Sequence, residues 1–116
     1  MQKTIIIDEK PVVFEATGGT VRRYSQHFGA KRNIFNDMTA LIEAAQAGDL
    51  NSVAEILQNV AYIMAKQATP GIPNTVEDWL DQFSMFGLYN QDVVLQLIQL
   101  WLESADQATQ TKKNNQ

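Results

Sequence analysis

Two short runs of β-branched and aromatic residues open the chain, at positions 4–7 and 12–14. Such residues favour a half-buried pleated surface. The polar segment 8–11 between them ends in a proline, whose missing N–H suits the exit of a turn or an edge strand. The pattern therefore predicts a β-hairpin over about 4–15. Because an isolated hairpin is only marginally stable in water, its apolar face should pack on the following helices. The expected inward residues are Ile5, Ile7, Val12 and Phe14.

From Ala16 onward the apolar residues recur every three or four positions, which is the spacing of an amphipathic helix. Five such stretches between about residues 20 and 103 predict five helices around one core. The second helix carries its stripe on Ile34, Phe35, Met38, Leu41, Ile42 and Ala45. The predicted caps and breakers are Thr20 and Gly29 for the first helix, Gly48 after the second, Asp49 or Asn51 before the third, Pro70 after it and Thr75 before the fourth.

The final predicted helix has more apolar positions than one buried face requires. They are Val93, Val94, Leu95, Leu97, Ile98, Leu100, Trp101 and Leu102. After Glu103 the chain becomes polar, so residues 106–116 are expected to form a disordered tail. The predicted fold is mainly α: an N-terminal β-hairpin followed by about five helices, packed as a small single-core bundle over residues 1–105.

Large apolar side chains also crowd the segment before that helix. The eleven positions 79–89 contain a cluster with a turn in its middle, made of Trp79, Phe83, Met85, Phe86, Leu88 and Tyr89. Either they cap the bundle, or part of them contact a partner, since aromatic residues are enriched at protein interfaces. The candidate protein-binding residues drawn from this cluster and the final helix are Trp79, Phe83, Phe86, Leu88, Tyr89 and Trp101.

The composition excludes several kinds of chemistry. The chain of 116 residues has no cysteine and one histidine, which removes disulfides, thiolate zinc sites and cysteine nucleophiles. His27 is expected to sit at a helix end. The acids Glu77, Asp78 and Asp81 are expected to serve a helix N-terminus rather than a metal. The chain has no phosphate-loop or nucleophile-elbow pattern. We therefore expect no enzymatic activity, cofactor or metal.

Charge is distributed unevenly along the chain. Residues 1–32 hold six Lys or Arg and three acids, whereas residues 33–106 hold one Lys and ten acids. Since phosphate binding scales with basic contacts, the net charge of −4 argues against nucleic acid as a partner. No apolar run approaches the roughly 20 residues of a membrane helix. Without a recognisable signal peptide, the chain is expected to stay in the cytoplasm and off the membrane.

Four blocks of sequence resemble one known family. They are ATGGTVRRY at 16–24 with HFG at 27–29, NVAYIMAKQA at 59–68, EDWLDQF at 77–83, and a final helix with Leu97 and Trp101 before a polar tail. Their order and spacing resemble the tail assembly chaperones of long-tailed (siphovirus-type) phages and prophages of Gram-positive bacteria. Asp78 interrupts the third block relative to the family pattern E-W-L-D-Q-F.

The resemblance implies a protein that is not an enzyme and is absent from the mature virion. Such a chaperone binds and solubilises the tape measure protein in the host cytoplasm during tail morphogenesis. This chain would be the short form, and a longer frameshifted form would recruit the tail tube protein. Whether it is a homo-oligomer stays open. The alternative is a small helical adaptor or regulatory protein that binds another protein or, ranked lower, nucleic acid through Arg22, Arg23, Lys31 and Arg32.

Overall fold

A computed structural model gives the fold, describing the backbone of residues 1–114 and the side chains of residues 1–106. Strand β1 (Gln2–Ile7) pairs antiparallel with β2 (Lys10–Glu15), which confirms the hairpin. The turn is shorter than the predicted 8–11: it consists of Asp8 and Glu9, both with positive φ. Two residues in this conformation match the right-handed twist of the flanking strands.

The inward face of the hairpin follows from the alternation of side chains along a strand. Ile5, Ile7 and Phe14 are buried as predicted, and Val12 is half-buried beside them. Ile6 points the other way and is 57% exposed. The hairpin packs with β2 against the third helix and β1 against the last helix, and this packing supplies the support that two isolated strands lack.

Within the residues that the structure describes, five α-helices follow, as the spacing predicted. They are α1 (Gly18–Phe28), α2 (Ile34–Ala47), α3 (Ala54–Ala68), α4 (Val76–Leu80) and α5 (Gln91–Asn114), with a 3₁₀ turn (Leu50–Val53) before α3. Helix α3 is central: α1, α2, α4 and strand β2 all contact it. Its buried residues include Leu57, Val60, Ala61 and Met64.

Several helix boundaries differ from the prediction. Helix α1 is capped by Thr17 rather than Thr20. The Thr17 side chain accepts a hydrogen bond from the Gly19 N–H, and the Thr20 hydroxyl accepts one from the Thr17 N–H at 2.9 Å. Thr20 is therefore the third residue of a reciprocal capping arrangement. Neither Asp49 nor Asn51 caps α3: Asp49 precedes the 3₁₀ turn, Asn51 lies within it, and the N-cap of α3 is Val53, which makes no side-chain capping hydrogen bond.

The predicted ends of the first three helices are confirmed. Gly29 follows α1, and Gly48 follows α2 in the left-handed conformation, with φ 71°. Glycine adopts that conformation without the steric cost of a Cβ. Helix α3 ends at Ala68, one residue before the Thr69–Pro70 pair, because a residue that precedes proline avoids the α region.

The last helix extends beyond the predicted end near residue 103. Helix α5 is helical to Asn114, and Ser104 still contacts the body of the protein by donating a hydrogen bond to the Ala16 carbonyl at 3.3 Å. The side chains of 107–116 lie outside the described residues, so the predicted disorder of 106–116 stays a prediction. Across the described part of the chain, no helix is long and apolar enough to cross a membrane.

Candidate protein-binding surface

The structure separates the six candidate binding residues by their burial. Trp79 and Leu88 are almost completely buried and belong to the core. The Trp79 ring meets Tyr62 and Phe83 edge-on, with ring centroids 5.8 and 5.2 Å apart. These two residues therefore hold the segment 79–89 onto the bundle, and neither belongs to a surface that a partner could contact.

Phe83, Tyr89 and Trp101 are half-buried and pack against the core from outside. The Tyr89 hydroxyl accepts a hydrogen bond from the Gln58 amide of α3. Trp101 packs edge-on against Phe35, with 5.6 Å between the ring centroids. Each of these side chains can offer one edge to a partner, although its other contacts are already within the fold.

Phe86 is the one candidate of the six that lies mainly in solvent, at 74% exposed. Its neighbour Met85, which the sequence placed in the same cluster, is 81% exposed. Together they form the tip of the loop between α4 and α5, which we call the 85–86 tip. Two adjacent large apolar side chains in water favour contact with another apolar surface.

The 85–86 tip is held by the turn of the hairpin. The Asp8 carboxylate accepts hydrogen bonds from the Ser84 N–H at 2.5 Å and from the Ser84 hydroxyl at 2.9 Å. The hydrogen bonds from the Ser84 backbone and side chain lower the pKa of Asp8. Lys10 adds a hydrogen bond from its ammonium group to the Gln82 carbonyl at 2.8 Å. The loop is therefore fixed at its base while its apolar tip points outward.

A second exposed apolar surface runs along α5. Leu95 and Leu102 are 49% and 53% exposed, and the nearly buried Ile98 lies between them. The residues fall at i, i+3 and i+7, so they lie on one face of the helix. They line a shallow open groove together with Gln99, Glu103, Ala105 and Asp106, and we call this set the α5 groove. The excess of apolar positions in the final helix had indicated that part of its apolar face would be exposed.

An apolar hollow adjoins the α5 groove. It is lined by Val21 of α1, by Phe35 of α2 and by Trp101 of α5. Phe35 was expected on the buried stripe of α2, but its ring is 54% exposed because it lies at the border of that stripe beside Trp101. Ala105 lines both depressions. The exposed apolar area therefore continues from Leu95 to Phe35 across one side of the molecule.

The sequence blocks of the family resemblance serve the fold itself. Thr17 and Thr20 of the first block bind Gln67 of the second: the Gln67 amide donates to the Thr17 hydroxyl at 2.7 Å, and the Thr20 hydroxyl donates to the Gln67 amide oxygen at 2.6 Å. These bonds tie the start of α1 to the end of α3. Tyr24, also in the first block, donates to the buried carboxylate of Asp37 in α2.

Two further residues of the second block hold the loop after α3. The Tyr62 hydroxyl donates to the Pro73 carbonyl at 2.6 Å. The Lys66 ammonium donates to the carbonyls of Pro70 and Ile72, both at 2.7 Å, and to the Asn74 side chain at 2.9 Å. Three donors on one ammonium group satisfy three oxygens of an irregular loop. The second block therefore stabilises the loop after α3 through hydrogen bonds.

The side chains that could have carried chemistry, His27, Glu77 and Asp78, lie at helix ends. His27 lies in the last turn of α1, where a cation complements the helix dipole, and its ring packs on Phe28 and Tyr62. Glu77 and Asp78 occupy the first turn of α4, whose cap is Thr75 as predicted, whereas Asp81 lies at the opposite end of α4 as its C-cap. Among the described residues, no three His, Asp or Glu side chains come together as a metal site. Comparison with models of protein families, with curated proteins and with solved structures found no match.

Proposed function

We propose that this chain is the short form of a phage tail assembly chaperone. It binds and solubilises the tape measure protein in the host cytoplasm while the tail is built, and it is absent from the mature virion. A longer frameshifted form recruits the tail tube protein. The four sequence blocks support the family, and the observation that supports the activity is the α5 groove, with Leu95 and Leu102 on one helix face.

The groove has the form that recognition of a helix requires. An amphipathic helix docks by placing residues at i, i+3 or i+4, and i+7 into an apolar groove. Leu95, Ile98 and Leu102 repeat at the same intervals, so their stripe spans about 10 Å along the α5 axis. A tape measure protein is a long helical ruler in the family that the sequence resembles, and its apolar stripe would be covered by many such grooves.

The energy available at the groove is modest for one helix segment. Burying a complete leucine side chain contributes about 1.5–3 kcal/mol, so each half-exposed leucine adds about 1 kcal/mol. The 85–86 tip and the hollow beside Trp101 add further apolar area. Weak contacts of this kind suit a chaperone that must release its client when the tail tube assembles.

The test is co-expression with the tape measure protein encoded in the same genome. The variant Leu95→Gln with Leu102→Gln should fold normally and leave the tape measure protein insoluble, because only exposed side chains are changed. Ile6→Gln is the matched control, since Ile6 is equally exposed but lies on the hairpin's outer face. Phe86→Ala reports whether the 85–86 tip takes part.

Three results would contradict the proposal. The tape measure protein could be equally soluble without this chain. Solubility could be lost only in variants whose thermal unfolding shows that they are no longer folded. A nucleic acid could co-purify in place of a protein, which would favour a regulator acting through Arg22 and Arg23, two exposed residues of α1.

A further inference from the structure

The α5 groove lies in a part of the chain that lacks positive charge. Between Lys66 and Lys112 there is no Lys or Arg, whereas the same stretch contains six acidic residues. Two of those acids, Glu103 and Asp106, line the groove directly beside Leu102. Both carboxylates are on exposed residues. In space, Lys3 of β1 reaches the groove by donating a hydrogen bond to the Gln99 side chain at 3.1 Å. The groove therefore combines an apolar floor with two carboxylates and one ammonium group at its border, so its charge is negative on balance.

We infer that the α5 groove selects an amphipathic helix whose apolar stripe is bordered by Lys or Arg. For the identity of the client this inference rests on the proposed function, since it states which segments of the tape measure protein should bind. The leucines supply the contact area, and Glu103 and Asp106 supply the preference among helices with similar apolar stripes. Opposite charges at an interface act mainly on selectivity and on the rate of association.

Charge argues against a second copy of this chain as the occupant. If two α5 grooves faced each other, the four carboxylates of Glu103 and Asp106 would share one interface with only the two ammonium groups of Lys3. Like charges placed together across an interface oppose association. Helix α1 carries Arg22 and Arg23, but Tyr24 on its apolar side is buried in the fold. Within the described residues, α1 is thus unavailable as a basic amphipathic ligand.

The expected size of the preference follows from the exposure of the acids. An exposed ion pair contributes little, so two pairs should change the dissociation constant by roughly three- to ten-fold. Salt should remove most of that difference, because exposed charges are screened over about 3 Å at 1 M ionic strength and about 10 Å at 0.1 M. The apolar contribution should change much less with salt. Salt dependence therefore separates the two contributions.

The experiment uses the full chain and two designed helical peptides of about 20 residues, a length that gives more than enough rise to span the stripe. Both peptides carry the same leucine stripe; one has Lys beside it and the other has Glu. Fluorescence anisotropy gives their dissociation constants at low and high salt. The Lys peptide should bind more tightly, and its advantage should shrink as salt rises.

Variants then locate the charge effect. Glu103→Gln with Asp106→Asn should abolish most of the preference for the Lys peptide. Glu77→Gln with Asp81→Asn is the matched control: it removes the same charge from α4 and its C-cap, outside the groove, and should leave the preference intact. Equal loss in both double variants would mean that only the overall charge matters, and the inference would be wrong.

Other outcomes are equally decisive. Equal affinity for the two peptides at low salt would overturn the inference. So would self-association of the chain that Leu95→Gln abolishes, with no peptide binding, because a second copy would then occupy the groove. The proposed function fails separately. A tape measure protein that ignores this chain would contradict the function even if the Lys peptide binds, whereas a solubilised tape measure protein without charge preference would contradict only this inference.

Discussion

Replacing Tyr24 by phenylalanine should destabilise the fold through one hydrogen bond. The Tyr24 side chain is completely buried, and its hydroxyl donates to the carboxylate of Asp37. The same carboxylate oxygen is 3.1 Å from the guanidinium of Arg32, in the loop between α1 and α2. Tyr24→Phe removes the hydroxyl that donates to Asp37, leaves Arg32 beside the carboxylate, and keeps the shape of the core unchanged.

The size of the effect depends on the charge of the acceptor. A hydrogen bond to a charged group contributes about 1.5–3 kcal/mol, whereas one between neutral groups contributes about 0.5–1.5 kcal/mol. Because Asp37 keeps Arg32, we expect Tyr24→Phe to cost about 2 kcal/mol. Tyr62→Phe is the matched comparison, since the buried Tyr62 donates to the neutral carbonyl of Pro73. It should cost about 1 kcal/mol.

The free energy of unfolding in urea and the melting temperature measure both changes. At this chain length 1 kcal/mol corresponds to a shift in Tm of about 4 °C, so the expected losses are about 8 °C for Tyr24→Phe and about 4 °C for Tyr62→Phe. The double variant Tyr24→Phe with Asp37→Asn should cost less than the sum of the single changes. Equal losses for the two tyrosines, or additive losses in the double variant, would refute the reasoning.

Alkaline pH offers an independent measurement. Burial and the hydrogen bond to Asp37 raise the pKa of Tyr24 above the ordinary value of 10.0. Because the pKa of Tyr24 is raised in the folded state, the stability contributed by its protonated hydroxyl is fully present below the pKa of the unfolded state. It is lost as pH rises through the range between the unfolded and folded values. Tyr24→Phe should therefore lose less stability than the unmodified chain above pH about 10.

Four further changes test other parts of the protein. Gly87→Ala would place a Cβ 2.7 Å from the Asp8 carboxylate and push it away from Ser84, so the melting temperature should fall; an unchanged value would mean that the loop adapts. The hydrogen bonds from Ser84 lower the pKa of Asp8, so the stability they contribute is present above the ordinary pKa of 3.8 and is lost as pH falls through the pKa of the folded state. Asp8→Asn should therefore make the free energy of unfolding depend less on pH in the acid range. Lys66→Met should release the loop after α3, seen as faster amide exchange there. Deleting residues 107–116 should leave the melting temperature nearly unchanged, and a fall of many degrees would show that this segment is docked.

The order of helices and strands could be predicted because it depends on local signals. Changes of period from two to about 3.6, together with Gly and Pro breakers, separate the hairpin from the helices. The exact starts were harder to predict. Thr17 and Thr20 are both good caps, and the glycines between them are typical of a flexible joint, so the spacing alone did not show that the helix begins at Gly18. The hairpin turn was predicted too long because neither Asp8 nor Glu9 is a glycine.

The candidate surface was only partly predictable, because periodicity does not tell which border of an apolar stripe lies at the surface. The wide stripe of the final helix indicated that some residues would be exposed, and Leu95 and Leu102 are exposed. The density of apolar residues along the chain was a poorer guide to which of them are exposed. Trp79 and Phe86 belong to the same cluster, yet Trp79 packs on Tyr62 while Phe86 lies in solvent. The direction of each side chain depends on the turn between them, which is tied to the distant Asp8.

The residues that stabilise this fold and the residues proposed to bind a client are different. Tyr24, Tyr62 and Lys66 of the sequence blocks make internal hydrogen bonds, whereas Leu95 and Leu102 of the α5 groove lie in none of the quoted motif positions. A chain could therefore keep every block and still acquire a different groove. Under the proposed function, the blocks serve the fold, while the apolar stripe and the acids beside it would select the helix that binds. Changes in the blocks should lower stability and binding together, and changes in the groove should lower binding alone.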